Sequence, residues 1–258
     1  MHSSLPFHRV PLALAAGEVH VRVARLAGGD DPGRLERFRG WLDDRERQRL
    51  DRLANAALKA EFLLTRALCR DTLSRYTEVA PRDWRFEPNA YGKPSIAAPS
   101  LPVALKFNLS NARTVVACAV TVDAELGIDI EPWNVPAEGL PISAQVFSPS
   151  ELQALHGCEP GERSRRFHEL WTVKEAYVKA VGQGMSMPLD QISFEPRATP
   201  IRASLAPALA GDARRWHFEL IDCGPDHLLA LAVGGARLAP PRITVSELAL
   251  DELGAGFD

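Results

Sequence analysis

No Cys-x-x-Cys pair occurs in this chain, and its four cysteines (Cys69, Cys118, Cys158, Cys223) lie far apart. That spacing excludes a zinc ribbon, a dithiol redox centre and a disulfide framework. Cys69 and Cys118 fall inside apolar runs, where a thiol acts as a small buried hydrophobe, and the usage suits a reducing compartment. No run approaches the ~20 apolar residues of a membrane span. The N-terminal segment has no cationic stretch ahead of a sustained apolar one, and Pro11 interrupts it, so a cytoplasmic protein with no signal peptide and no membrane partner is expected. A formal net charge of -3, with no basic run to offset it, gives no basis for nucleic-acid binding. GxxxxGK[ST] and GxGxxG are both missing. His168 and His227 stand alone, so no Ser-His-Asp arrangement suggests itself.

What is present reads as an ordinary globular chain: 258 residues, 46% apolar and 24% charged. EVHVRVARL alternates at period two and predicts a strand. A helical tract follows over 34–76, with a break near Gly40, and then YGKPS marks a turn. LKFNLS and TVVACAV read as a hairpin. The second half repeats the order: a helix within RFHELWTVKEAYVKAVGQG stopping at Gly182, then QISFEP echoing WRFEP, then WHFELI and HLLALAV as a second hairpin. Equivalent pieces recur about 110 residues apart, the scale of one small domain. The expected fold is α+β with two duplicated lobes, 1–125 and 126–258, each a long helix on a small, mostly antiparallel sheet, with a ligand held between them. Between the lobes a proline-rich loop ends at FSPSEL, where Ser148, Pro149 and Glu151 form an N-cap and capping box. The tail after Gly234 reads as a final extended segment with a frayed end.

The run LGIDIEPW places Asp129 and Glu131 at i and i+2, on one face of a strand. Adjacent acids repel unless a cation or a proton lies between them. Aligned carboxylates with no His or Cys beside them suit a hard cation, Mg²⁺ or Mn²⁺, rather than Zn²⁺. Farther on, Phe167, Leu170, Trp171, Tyr177, Val178 and Val181 form one apolar helix stripe. Glu175 borders it, and Lys179 lies one turn on. These two supply either a third ligand and a cation or an i,i+4 pair worth ~0.2–0.5 kcal/mol. Lys174 points into the middle of the stripe, where an ammonium needs an anion or a route to water. Three acids with lysines nearby fit Mg²⁺ shared with a phosphate-bearing substrate. Lys93, Lys106, Ser110 and Asn111 add polar groups from the first half.

GIDIE followed by FHELWTVKEAYVKAVGQGMSMPL, with YGKP and FNLS upstream in order, resembles the 4'-phosphopantetheinyl transferases, specifically the long two-lobed type that activates nonribosomal peptide and polyketide synthases. The resemblance implies a pseudo-twofold pair of lobes and a monomer. It implies transfer of the phosphopantetheine arm of coenzyme A to a serine of an apo acyl, peptidyl or aryl carrier protein. It assigns Asp129, Glu131 and Glu175 to Mg²⁺, Glu175 also to deprotonation of the serine, and Lys179 to the pyrophosphate and leaving group. Lys174 is expected near the same phosphates, Lys93, Ser110 and Asn111 at the coenzyme, and Arg47, Arg49 and Arg52 near its 3'-phosphate. Where the family shows an Asp-Arg pair, this chain has Leu58-Lys59 and keeps only the basic member. Where it usually has His after FNLS, this chain has Asn111, which cannot add a positive charge, so weaker coenzyme binding is expected. The loop 132–146, with Leu140 and Ile142, is the expected docking element for the carrier. A Mg²⁺-dependent phosphohydrolase or nucleotidyl transferase would use the same acids and lysines, and a non-catalytic coenzyme-binding module is the third reading.

Overall fold

The computed structural model describes residues 11–26, 32–134, 144–207, 209, 212–235 and 239–257. The first half runs β1 (Glu18–Arg25), α1 (Pro32–Glu36), α2 (Asp44–Arg52), α3 (Ala56–Ser74), β2 (Arg85–Pro88), β3 (Pro94–Ala98), β4 (Leu105–Ala112) and β5 (Val115–Val122). The second runs β6 (Glu125–Pro132), α4 (Pro149–His156), α5 (Pro160–Val181), β7 (Ile192–Glu195), β8 (Arg202–Leu205), β9 (Trp216–Cys223) and β10 (His227–Gly234), and β11 (Arg242–Leu248) ends it. Strand order is β11-β1-β5-β4 in one sheet and β6-β10-β9 in the other, with β2-β3 and β7-β8 as separate hairpins. Strand, helices, small hairpin, large hairpin: the order recurs in both halves. The result is an α+β fold.

Side-chain alternation sets the layers. On β5, Val115, Ala117 and Ala119 face one core, while Val116 and Cys118 face another beneath α3. On β10, Leu229, Leu231 and Val233 join the first of these cores, while Ala230 and Ala232 turn toward α5. The two sheets therefore pack face to face through a shared core, with α3 outside one and α5 outside the other.

The helical tract breaks twice, each time at a residue that caps the helix after it. Asp43 forms a capping box with Glu46, and Asn55 accepts from the Leu58 amide. Gly40 lies in a 3₁₀ turn before the first break. Ser148 and Glu151 form the expected capping box on α4, and Gly182 ends α5 at φ 74°.

The tail departs from expectation. β11 pairs in parallel with β1, Val21 opposite Val245, so the last strand extends the first sheet rather than closing the second. Beyond it Leu250 and Leu253 are buried against α1 and α3, and the Gly254 amide donates to Asp71 Oδ1 at 2.9 Å. Buried apolar surface holds this end down, where composition alone suggested fraying. Among the described residues no helix is long and apolar enough to cross a membrane.

Candidate active site

β6 does different work on its two faces. Leu126, Ile128 and Ile130 enter the core between the sheets, while Asp129 and Glu131 face α5. Gly127 lets the helix close on that face: a Cβ there would overlap the backbone oxygen of Ala176 and the backbone nitrogen of Ala180. The close approach sets Glu175 and Lys179 opposite the acids. β4 joins β6 along the other side by side-chain rungs, with Asn108 Oδ1 accepting from Ile128 N (2.9 Å) and Ser110 Oγ from Ile130 N (3.2 Å). FNLS thus mimics a strand ladder across the boundary between the halves.

Where these elements meet, Lys179 Nζ donates to Asp129 Oδ1 (2.6 Å) and Ser110 Oγ (2.9 Å). Ser110 Oγ in turn donates to Asp129 Oδ1 at 2.9 Å. Trp171 Nε1 donates to Glu131 Oε1 at 3.2 Å. Asp129 Oδ2 is buried with no hydrogen-bond partner among the described residues. All three carboxyl groups titrate above their usual range. Burial is the main cause for Asp129, with Lys179 pulling the other way. Burial and then the Asp129 charge lift Glu131 to about 7, and the same two causes raise Glu175. Three buried or half-buried acids, two of them raised by the charge of the third and that third with an orphaned buried oxygen, form a donor set of the chemistry a hard cation takes. The acids are neighbours rather than a closed cage: among the described residues no group of three His, Cys, Asp or Glu is gathered tightly enough to be a ready-made metal site.

A cleft of about 290 Å³ opens beside this network, lined by Tyr91, Lys93, Asn108, Glu175, Lys179 and Gly184. Gly92 and Pro94 are shared with a second cleft, lined also by Arg45, Arg49 and Arg66 and by the acids Asp43 and Glu46. Arg66 is held by Glu46 at 3.4 Å, and Arg49 lies over the Phe62 ring at 5.5 Å.

Several expected residues lie elsewhere. Lys174 is a correction to the phosphate-facing expectation. Its ammonium is fully buried, paired with Glu151 (2.8 Å) and donating to the carbonyls of Leu189 (2.8 Å) and Ile192 (2.5 Å). Burial lowers its pKa while Glu151 opposes the fall. Of the two outcomes open to it, an anion or a route to water, Lys174 takes the anion, and that anion is a protein carboxylate. Arg47 is engaged by Asp44 (2.6 Å) and the Leu42 carbonyl, close to its own helix start. Arg52 and Lys59 are exposed and line neither cleft. Lys93 lines the first cleft, but its ammonium rests on the carbonyls of Ala180 (2.6 Å) and Leu126 (3.2 Å). Asn111 is exposed and donates to Glu61. Leu140 and Ile142 lie outside the described residues, as does most of the expected docking loop. Its start is tied down by Ser164 Oγ, which donates to Trp133 O at 2.9 Å.

Sequence reasoning missed Trp171 as the donor to Glu131, Arg66 in the second cleft, and Ser110 as a partner of Asp129. Trp171 could have been found, since it lies one turn before Glu175 on the same helix side.

Residues 125–232 match the profile of the 4'-phosphopantetheinyl transferase superfamily. The chain is similar to the 4'-phosphopantetheinyl transferase HetI of Nostoc sp., 28% identical over 227 residues that cover 87% of this chain and 91% of HetI. It is similar to the 4'-phosphopantetheinyl transferase Sfp of Bacillus subtilis, 34% identical over 61% of this chain and 68% of Sfp. The 4'-phosphopantetheinyl transferase ffp, also of Bacillus subtilis, is 32% identical over 61% of this chain and 68% of its own length.

Proposed function

Because this chain belongs to the 4'-phosphopantetheinyl transferase superfamily, and so transfers the 4'-phosphopantetheine arm of coenzyme A to an apo carrier protein, we propose that the cleft beside Asp129, Glu175 and Lys179 is where the transfer occurs. The observation that carries this assignment is the Asp129 carboxylate. It is buried, one oxygen is held by Lys179 and Ser110, and the other has no partner among the described residues. Asp129, Glu131 and Glu175 would hold Mg²⁺, or Mn²⁺, through hard oxygen donors. When bound, the ion supplies charge neutralisation at the pyrophosphate.

The chain's own residues do the remainder. Glu175, its pKa raised by burial and by Asp129, is the base that takes the proton of the carrier serine. The serine oxygen forms a bond to the phosphoryl group of the arm. The bond to adenosine 3',5'-bisphosphate breaks, and Lys179 offsets the charge on that leaving group. Lys179 already sits on Asp129, so its ammonium needs only a side-chain swing to meet a phosphate. The nucleotide end of coenzyme A would lie in the adjoining cleft, with its phosphates against Arg45, Arg49 and Arg66. We further propose the two-lobed, pseudo-twofold subtype, supported by the recurring element order, with acyl, peptidyl or aryl carriers as partners.

Intact-protein mass spectrometry of apo carriers incubated with coenzyme A and Mg²⁺ tests the assignment. A mass gain of one phosphopantetheine on a serine is expected with the native chain, and its loss, by about 10²-fold or more in rate, with Glu175→Gln. Transfer at the native rate by that variant rejects the role of Glu175. A chain that consumed nucleotide without any carrier would be the phosphohydrolase or nucleotidyl transferase instead.

A further inference from the structure

Lys179 lies in the last turn of α5, the helix that also carries Glu175 and closes at Val181. The final carbonyls of a helix have no partner within it, and terminal turns fray. In α5 one of them, Ala180 O, and the carbonyl of the capping Gly182 are taken by side chains from the other half of the chain. Lys93 Nζ donates to Ala180 O at 2.6 Å and reaches Leu126 O of β6 at 3.2 Å. Asn89 Nδ2 donates to Gly182 O at 2.9 Å. The opposite atom of the same amide, Asn89 Oδ1, accepts from Tyr91 N (2.9 Å) and Lys93 N (3.0 Å), so one side chain both shapes the turn and ties it to the helix. The fit is close: a Cβ on Gly182 would lie 2.9 Å from Lys93 Cδ and 3.2 Å from Asn89 Nδ2. A cation at this helix end also meets the negative pole of the helix dipole.

We propose that Asn89 and Lys93 are positioning residues: a clamp by which the first half of the chain holds the last turn of α5, and with it Lys179 and Glu175, where transfer requires them. The proposal rests on the catalytic assignment of those two residues. The clamp and the cleft share a wall, since Tyr91, Lys93, Lys179 and Gly182 all line it. A terminal turn free to drift by about 1 Å would carry Lys179 away from Asp129 and Ser110, and misplacement on that scale costs about 10²-fold in rate.

Asn89→Asp isolates the contact. It keeps an oxygen for the Tyr91 and Lys93 amides and replaces the donor to Gly182 O with a second oxygen that faces a carbonyl. Hydrogen exchange of the α5 amides and steady-state transfer to an apo carrier are measured on the full chain. The expected result is about tenfold loss of protection confined to the last turn of α5. The middle of the helix stays protected, kcat falls about tenfold or more, and KM for coenzyme A is unchanged. Lys93→Met should lower kcat in the same way, and Lys93→Arg, which can still donate to Ala180 O, should restore most of it. Unchanged exchange in Asn89→Asp overturns the clamp, and so does a frayed helix end with native kcat. A raised Kd for coenzyme A in Lys93→Met, with exchange and kcat intact, assigns Lys93 to the coenzyme and overturns its part. Native activity in Glu175→Gln would instead remove the catalytic assignment and leave the exchange result to judge the contact alone.

Discussion

Lys174 and Lys179 belong to the same helix and have opposite fates. Lys179 is part-exposed and reaches Asp129, whereas Lys174 is sealed in a core between Phe147 and Phe194 with Glu151 as its counter-ion. Removing one member of a buried pair strands the other. Lys174→Met should therefore cost about 3–5 kcal/mol in urea denaturation, and adding Glu151→Gln should return part of it. Coenzyme A affinity of the folded variant should stay at the native level, and a weakened Kd would put Lys174 back at the phosphates. Periodicity asked of Lys174 an anion or a route to water, and the structure supplies the anion. Periodicity could not choose between a phosphate and Glu151, because the packing of α4 on α5 decides that. The pair Asp129 and Glu131 was legible for the opposite reason: a strand's period of two is local. Glu131 also sets a pH dependence. Its folded-state value of about 7 lies above the ordinary 4.5, so the folded protein holds that proton more tightly than the unfolded chain. Stability of the metal-free protein should fall as pH rises from about 4.5 to about 7 and level off above. Glu131→Gln should flatten much of that decline in thermal denaturation, and a native profile already flat across the window contradicts the shift.

Among the elements, α5 and β6 had to be legible for the site to be found at all, and both were, because long periodic segments carry their own signal. The gap between them was not. Gly127 reads in sequence as an ordinary strand glycine, yet its missing side chain is what admits the helix backbone. Gly127→Ala should separate α5 from β6, lowering stability by about 1–3 kcal/mol and transfer more steeply than stability. Chemical denaturation and transfer kinetics on the same sample separate the two effects. A variant with native rate would mean that the helix can slide without disturbing Glu175. The rungs from Asn108 and Ser110 were equally hidden, since a side chain standing in for a backbone ladder leaves no period to read.

At the scale of the molecule, the duplicated order was visible in the sequence, but the path of the tail was not, since parallel pairing with a distant strand has no local signature. The segment after β11 holds the first half from outside. Arg37 donates to the carbonyls of Leu250 (2.9 Å) and Leu253 (3.2 Å), and Asp71 accepts from the Gly254 amide while it pairs with Arg22 and Arg75. Deleting residues 249–258 uncovers a core face and leaves a buried acid short of a donor. A loss of roughly 3–5 kcal/mol is expected in urea denaturation, and a truncated chain of native stability would show the contact to be idle. β11 has a consequence for synthesis as well. β1 leaves the ribosome long before β11, its parallel neighbour. At ~5–20 residues per second the wait between them is on the order of 10–45 s. Through that interval one edge of β1 is open, so the nascent chain carries an unpaired strand edge until β11 emerges to cover it.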